Sequence, residues 1–530
     1  MRNIFDFHAH PTFKSFLTAP TDKKRTNPWR IFRGKVFQIV KPILRSQASF
    51  GQTIKGNVRI QVMPIVPLES GFSELVLIKS VAAKFLSVSK EFIRWINAGQ
   101  FSYNDLFWME YEHLCQHLNF RGQRVNVMRS IEDLSRGRKV INLVLSVEGS
   151  HALQDGPRTH EVKQPAQYFQ NLKKLKTEER FSILYMTLTH LTWNNVCNHC
   201  YGTRISGNEI FKPNPHVLGM SRVGHQLIDL AYDVDEGKRI LIDIKHMSLL
   251  ARRELYAYRK KKGYNHIPLI ASHAGATGFS SHDLFGYLQP NTYYAGKNNE
   301  YIVVDYKEVP GIGEGKRDCT TFNPWSINLY DEDIKAIINS GGLIGLSLDQ
   351  RILGEGRNQE EFFLYKEFTK VLDHNVPSPI GQREEEKDDQ DELVAEDKEE
   401  RKVPAYKLRR THRKHLRHLA NNLLHMVRTG GKKAWKHICI GSDFDGLIDP
   451  INSCLHAGAL PLLERDLHKI TQEMIQEDLK KNPGHEYHIT NLRAQIRDVM
   501  YNNGERFLKR YYSKSYLKTG KVKAKKKAIA

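Results

Sequence analysis

Residues 239–275 read RILIDIKHMSLLARRELYAYRKKKGYNHIPLIASHAG, and their pattern decides the fold. Two apolar runs, 239–246 and 267–273, each end on a histidine, His246 and His273. The stretch 249–260 between them reads as a helix. The runs are continuously apolar rather than alternating, which suits strands buried on both faces. Strand, helix and strand together form a βαβ unit with a histidine at both strand tips.

The same pattern recurs on either side. Apolar runs rich in β-branched residues lie at 3–10, 59–67, 140–148, 181–190, 342–348 and 437–443, and most of them also end in polar or ionisable residues. Helix-like stretches at 73–98, 165–175, 219–236 and 331–340 lie between them. Eight strands alternating with helices predict an α/β fold with one closed parallel sheet, a (β/α)8 TIM barrel. A chain of 530 residues accommodates one such barrel with long insertions.

The barrel is expected to span 1–515, with insertions at about 11–58, 285–328 and 354–435 and a basic tail at 516–530. The stretches 11–55 and 285–328 exceed ordinary βα connections and are expected to form lids or flaps at the barrel mouth. The run REEEKDDQDELVAEDKEERK at 383–402 is nearly all charged, so 379–402 is expected to be disordered. It falls between the seventh and eighth strands and therefore interrupts a domain instead of dividing two.

Hydrophobic residues make up 40% of the chain and charged residues 26%, enough for a sizeable core. Of six cysteines only Cys197 and Cys200 form a C-x-x-C pair, and no second pair follows at zinc-ribbon spacing. Ordinary reduced thiols and a cytoplasmic location are the expectation. MRNIFDFHAH at 1–10, a short strand-like run broken by His and Asp, is not expected to act as a secretory signal, and no run of about 18 apolar residues offers a membrane span. The net charge of +21 gathers at 14–59, 409–417 and the tail, where basic residues are usually solvated. Nucleic acid is therefore not the expected partner.

What singles out a function is where the ionisable residues stand. His8, His10, Glu148, His190, His246, His273 and Asp443 close successive strands, and strand ends in this fold converge on one mouth. Neutral imidazoles and carboxylates are the ligands of zinc and similar divalent metals. His8 and His10 are two residues apart and share a strand face, though such a pair alone is as ordinary as two half-exposed histidines. Glu148 is followed by Gly149, which suits a carboxylate bridging two cations. Asp443, at the last strand, is placed to accept a proton from an activated water. Asp445 competes with it, but lies past the strand end and suits a turn with Gly446.

The ordered strings LSVEGSHAL at 145–153, MTLTH at 186–190, DIKHMS at 243–248, IASHAGA at 270–276 and GSDFDGL at 441–447 resemble the membrane dipeptidases. These renal dipeptidase-like enzymes are the M19 peptidases of the metal-dependent amidohydrolase superfamily. Weaker similarity covers GGLIGLSL at 341–348 and VMYNNGERFLKR at 499–510. The resemblance implies two divalent metal ions, zinc, held by His8, His10, Glu148, His246 and His273. Glu148 would bridge them, with His8 on one metal and His246 and His273 on the other. It further implies attack by a metal-bridging hydroxide on a dipeptide-like amide, with Asp443 as general acid/base and His190 on the substrate carbonyl. A small-molecule substrate and a homodimer are implied by the same likeness.

Two departures bear on the chemistry. The family's first-strand pattern is H-x-D, whereas this chain has His8-Ala9-His10, which raises the net charge of the metal site. The family also places an arginine shortly after the sixth strand to hold the substrate carboxylate, and residues 277–283 contain none. Two other readings share the barrel. A TatD-like metal-dependent nuclease or phosphoesterase would account for H-x-H and the basic balance together. A non-catalytic metal-binding barrel would use its charged insertions as a binding surface.

Overall fold

The computed structural model describes residues 2–18, 27–30, 45–72, 89–156, 165–202, 209–312, 320–354, 360–373, 379, 381–382 and 405–522. The charged run at 383–402, the 73–88 part of the expected 73–98 helix and most of the basic tail lie outside the described residues.

Eight parallel strands form the central sheet: β1 Ile4–Asp6, β2 Val58–Ile65, β3 Val140–Val147, β4 Ile183–Thr187, β5 Leu241–Asp243, β6 Ile270–Ala274, β7 Leu343–Leu346 and β8 Ile438–Ile440. Each pairs with its neighbours in sequence order. The ring is completed between β8 and β1 by backbone bonds: Phe7 N donates to Ile440 O (2.8 Å), Asp443 N to His8 O (2.8 Å) and His10 N to Phe444 O (2.8 Å). The molecule is a (β/α)8 barrel. Its core strands are buried along their whole length, β2 (VRIQVMPI) included, as expected when helices cover the outer face.

The helices that follow the strands in order are α1 Phe50–Lys55, α2 Tyr103–Cys115, α3 Pro165–Thr177, α4 Arg222–Tyr232, α5 Leu249–Lys261, α6 Asp331–Asn339, α7 Ala405–Gly430 and α8 Leu460–Lys481. Serine begins several of them. Ser49 and Ser102 form capping boxes with Gln52 and Asp105, and Ser221 and Ser248 accept from Gly224 N and Ala251 N. Such caps satisfy donors that the first helical turn leaves open. The cap at Ser248 fixes the turn two residues after His246. Helix α7 lies within the 354–435 stretch and takes the position between β7 and β8. It is tied to α8 by Arg417–Glu477 (2.6 Å) and Arg413–Glu473 (2.6 Å).

The strands are shorter than the apolar runs. Only His273 lies inside one; Glu148 follows β3 directly, while His190, His246 and Asp443 come three residues after β4, β5 and β8. His246 (φ +69°) and Asp443 (φ +60°) adopt left-handed backbone conformations that end the ladder. Residues 288–295, 301–306 and 360–364 pair antiparallel in a four-stranded side sheet that 381–382 joins in parallel, its last two strands contributed from beyond β7.

Candidate metal centre

All seven ionisable residues singled out in the sequence meet at one end of the barrel. Glu148 stands at the centre. Its Oε1 lies 3.4 Å from His8 Nε2, 3.3 Å from His246 Nε2, 3.7 Å from His273 Nε2 and 3.8 Å from His190 Nε2. Its Oε2 lies 3.4 Å from His10 Nε2. Asp443 closes the other side, with Oδ1 3.4 Å from His10 Nε2 and 3.7 Å from His8 Nε2, and Oδ2 3.9 Å from His273 Nε2.

Local structure aims these groups. Glu148 N donates to Ile65 O (3.1 Å) and Gly149 N to Thr187 Oγ1 (2.6 Å), so the turn after β3 is pinned to both neighbouring strands. Gly149 has φ +87°, and a Cβ there would lie 2.2 Å from His151 Nδ1. Glycine is the residue for both constraints. Tyr185 OH donates to Phe7 O (2.9 Å), so its oxygen receives the His8 Nδ1 proton at 2.9 Å. That bond orients the ring so that His8 Nε2 faces Glu148. His190 Nδ1 donates to Glu69 Oε2 (2.6 Å), and Glu69 Oε1 also accepts from Thr192 N and Oγ1. His273 Nδ1 pairs with Ser272 Oγ at 2.8 Å. Outer bonds of this kind fix ring orientation and tautomer in metal sites.

The electrostatics divide the histidines into two kinds. Burial pushes His10 and His273 down and His246 to about 3, so these rings are neutral and their lone pairs are available. Burial opposes charge on His190 as well, but Glu69 and Glu148 outweigh it and hold the ring up at about 9. Glu148 stays well below the usual carboxylate range: burial works against ionisation, and the His8 and His190 rings overcome it. Asp443 is pushed up to about 8 by burial, reinforced by the charge of Glu148 and opposed by His8.

The donor set fits divalent cations. Three groups of atoms are close enough to share an ion: His8, His10 and Glu148; His8, His273 and Asp443; and Glu148, His190 and His246. The contacts around Glu148, at 3.3–3.8 Å, are longer than good charge-assisted hydrogen bonds. His10 Nδ1 and His246 Nδ1 are buried without a hydrogen-bond partner. The grouping differs from the resemblance in one respect, since His190 stands with Glu148 and His246 while His273 stands with His8 and Asp443. Asp445 lies apart from these groups; it accepts from Gln47 N (2.9 Å) and Ala48 N (2.8 Å) and pairs with Lys14 Nζ (2.7 Å). Cys197 and Cys200 are buried free thiols whose acidity burial suppresses, and neither joins a metal-capable group among the described residues.

The cluster lies in the lining of a chamber that opens to solvent. Phe13, Leu68, Leu191, Trp325 and Ile327 give it apolar walls, and Lys245 and Arg351 bring cations to it. Trp325 and Ile327 come from the long connection after β6, so part of that expected insertion does border the mouth. Glu69 was not among the candidate residues. It sits two residues past the 59–67 run, much as Glu148 closes its own, and that position was the available signal.

No family model matches the sequence, and no curated protein does. Among solved structures the chain is similar to a metallopeptidase from Rhodobacter sphaeroides liganded with a phosphinate mimic of the dipeptide L-Ala-D-Ala (13% identity, 96% of this chain and 98% of that chain, TM-score 0.44). A dipeptidase of family M19 is similar at 13% identity (96% and 98% covered, TM-score 0.42). The probable dipeptidase PvdM from Pseudomonas aeruginosa is similar at 14% (87% and 88% covered, TM-score 0.44). The structures it resembles are thus M19 metallodipeptidases and their relatives. Overlap of this degree adds nothing to the strand order, on which the barrel assignment rests.

Proposed function

We propose that the chain is a metal-dependent hydrolase that cleaves an amide bond in a small, dipeptide-like substrate, using two divalent cations, zinc by its donor chemistry. The observation that supports this most is Glu148, one carboxylate reached by imidazoles on every side, with Asp443 across from it. His8 and His10 would hold one cation, and His246 and His273 the other, with Glu148 common to both. The cations, when bound, acidify water and stabilise negative charge on a carbonyl oxygen.

The remaining work belongs to side chains. Asp443 stands across from Glu148, its carboxylate 3.4 Å from His10 Nε2 and 3.7 Å from His8 Nε2. It takes the proton released as water adds to the carbonyl carbon, and gives it to the amine nitrogen as the C–N bond breaks. His190, oriented through Nδ1 by Glu69, presents Nε2–H to the substrate carbonyl oxygen. Apolar walls flank the cluster in a chamber open to solvent, a setting that suits a small molecule.

The test is hydrolysis of a dipeptide panel, D-residues included, by zinc-reconstituted protein and its Asp443→Asn variant, with bis(p-nitrophenyl) phosphate alongside. Expected is dipeptide cleavage by the wild type, and a kcat lower by about 10²–10⁴ in the variant at unchanged metal content. Phosphodiester cleavage without amide cleavage, from protein carrying two metals, would overturn the proposal in favour of the phosphoesterase reading.

A further inference from the structure

Lys245 immediately precedes His246, and the left-handed backbone at His246 (φ +69°) lets both side chains face the chamber. Only 2% of Lys245 is exposed. Among the described residues its Nζ has a single hydrogen-bond acceptor, the Ile327 carbonyl oxygen at 3.4 Å, and no carboxylate within ion-pair distance. A buried ammonium in that position is unfavourable until an anion meets it.

Asp443, Asp243 and Glu148 act on the ammonium from beyond ion-pair distance, and none of them pairs with it. Glu148 and Asp443 are committed to the imidazole cluster. The other cation on the chamber wall, Arg351, is gripped by Asp349 through Nε–Oδ1 (3.1 Å) and Nη2–Oδ2 (2.7 Å), and also donates to Leu447 O (3.2 Å). Lys245 thus presents a positive charge to a chamber whose lining gathers two further cations in the proposed enzyme. Trp325, Ile327 and Leu191 line the same space, so the matching ligand has an apolar body and an anionic end.

We propose that Lys245 is the specificity-determining residue of the site, its ammonium receiving a carboxylate that the substrate carries close to the amide to be cleaved. This inference rests on the reading of the cluster as an amide-cleaving metal centre. The lysine does no bond-breaking; it positions the substrate so that the carbonyl lies over the cluster.

Two measurements on zinc-reconstituted wild type, Lys245→Met and Lys245→Arg test it, each protein assayed for bound metal. The first compares kcat/KM for L-alanyl-L-alanine with that for L-alanyl-L-alaninamide, which lacks the carboxylate. A charge-assisted hydrogen bond corresponds to about 10–100-fold, so the wild type is expected to prefer the free acid by that factor. Lys245→Met is expected to lose the preference, chiefly through KM, and Lys245→Arg to recover part of it. The second titrates N-acetylglycine and N-acetylglycinamide by calorimetry and needs no turnover. Tighter binding of the acid by wild type alone supports the proposal. If neither dipeptide is hydrolysed, the functional reading fails while the calorimetry still decides the role of Lys245. A metal-loaded Lys245→Met protein that keeps the wild-type preference, or a wild type with none, overturns it; Lys245→Gln replaces the Met variant if that one does not fold.

Discussion

Glu69 touches neither the proposed cations nor the reacting atoms, yet it sets the chemistry of His190. Its carboxylate is held down to about 2: burial works against ionisation, but the His190 ring and the Thr192 bonds prevail. Replacing it by glutamine keeps the shape and removes the charge. Glu69→Gln is expected to lower kcat/KM by about 10–100-fold, as loss of outer partners does in metal sites, with metal content unchanged by elemental analysis. The residues on strand ends were legible in the sequence because a polar group terminating an apolar run is conspicuous. Glu69 and Lys245 were harder to see. One lies in a connection, and the other is hidden by its neighbour His246, so their importance depends on chain folding from β2 and from the connection after β6.

The elements were legible in number and order, and less so in extent. Eight apolar runs became eight strands, but the runs ending in His10, Glu148, His190, His246 and Asp443 continued past their ladders because the residues singled out leave them. Left-handed backbone at His246 and Asp443 is not encoded by glycine there, so no local signal marked the strand ends. The side sheet was equally hidden, since Glu360–Leu364 pairs with Tyr301–Tyr306 across barrel helix α6 and strand β7. Close packing of β6, β7 and β8 has a sharper signature. A Cβ at Gly345 or at Gly441 would lie 1.9 Å from Ser272 O. That oxygen belongs to the backbone and has nowhere to go. Gly345→Ala is expected to destabilise the protein by about 1–3 kcal/mol, measured by urea unfolding.

Taken whole, the molecule carries acids outside the cluster that resist ionisation. Burial pushes Glu110 up to about 8, and Glu361 and Glu367 to about 7, partly offset by their hydrogen bonds. Each binds its proton more tightly folded than unfolded, so the unfolded chain releases it first as pH rises from 4.5. Stability must therefore fall between about pH 6.5 and 8. Below about 6.5 the decline is opposed, because burial keeps His113 and His199 down near 4 and the unfolded chain gains protons there. In metal-free protein, the Tm is expected to decline from pH 6.5 to 8. Glu110→Gln, which keeps the Thr12 contact (2.7 Å), is expected to flatten that decline and to raise stability at pH 8 by on the order of 1–3 kcal/mol. Cation binding adds to the fold in proportion to its affinity. At free zinc 1,000 times Kd the gain is about 4 kcal/mol, and chelation is expected to lower the Tm accordingly.

The barrel's seam and its chemistry coincide. The bonds that join the first strand to the last are made by Phe7, His8 and His10 on one side and Ile440, Asp443 and Phe444 on the other. Asp6 reinforces them through Ser442 N (2.9 Å) and Oγ (2.6 Å). A ribosome must therefore polymerise past residue 443 before the earliest ligands find their counterpart. Until then the histidines already emerged form only a half-built cradle, and the same closing step that seals the cylinder brings Asp443 to His8 and His10.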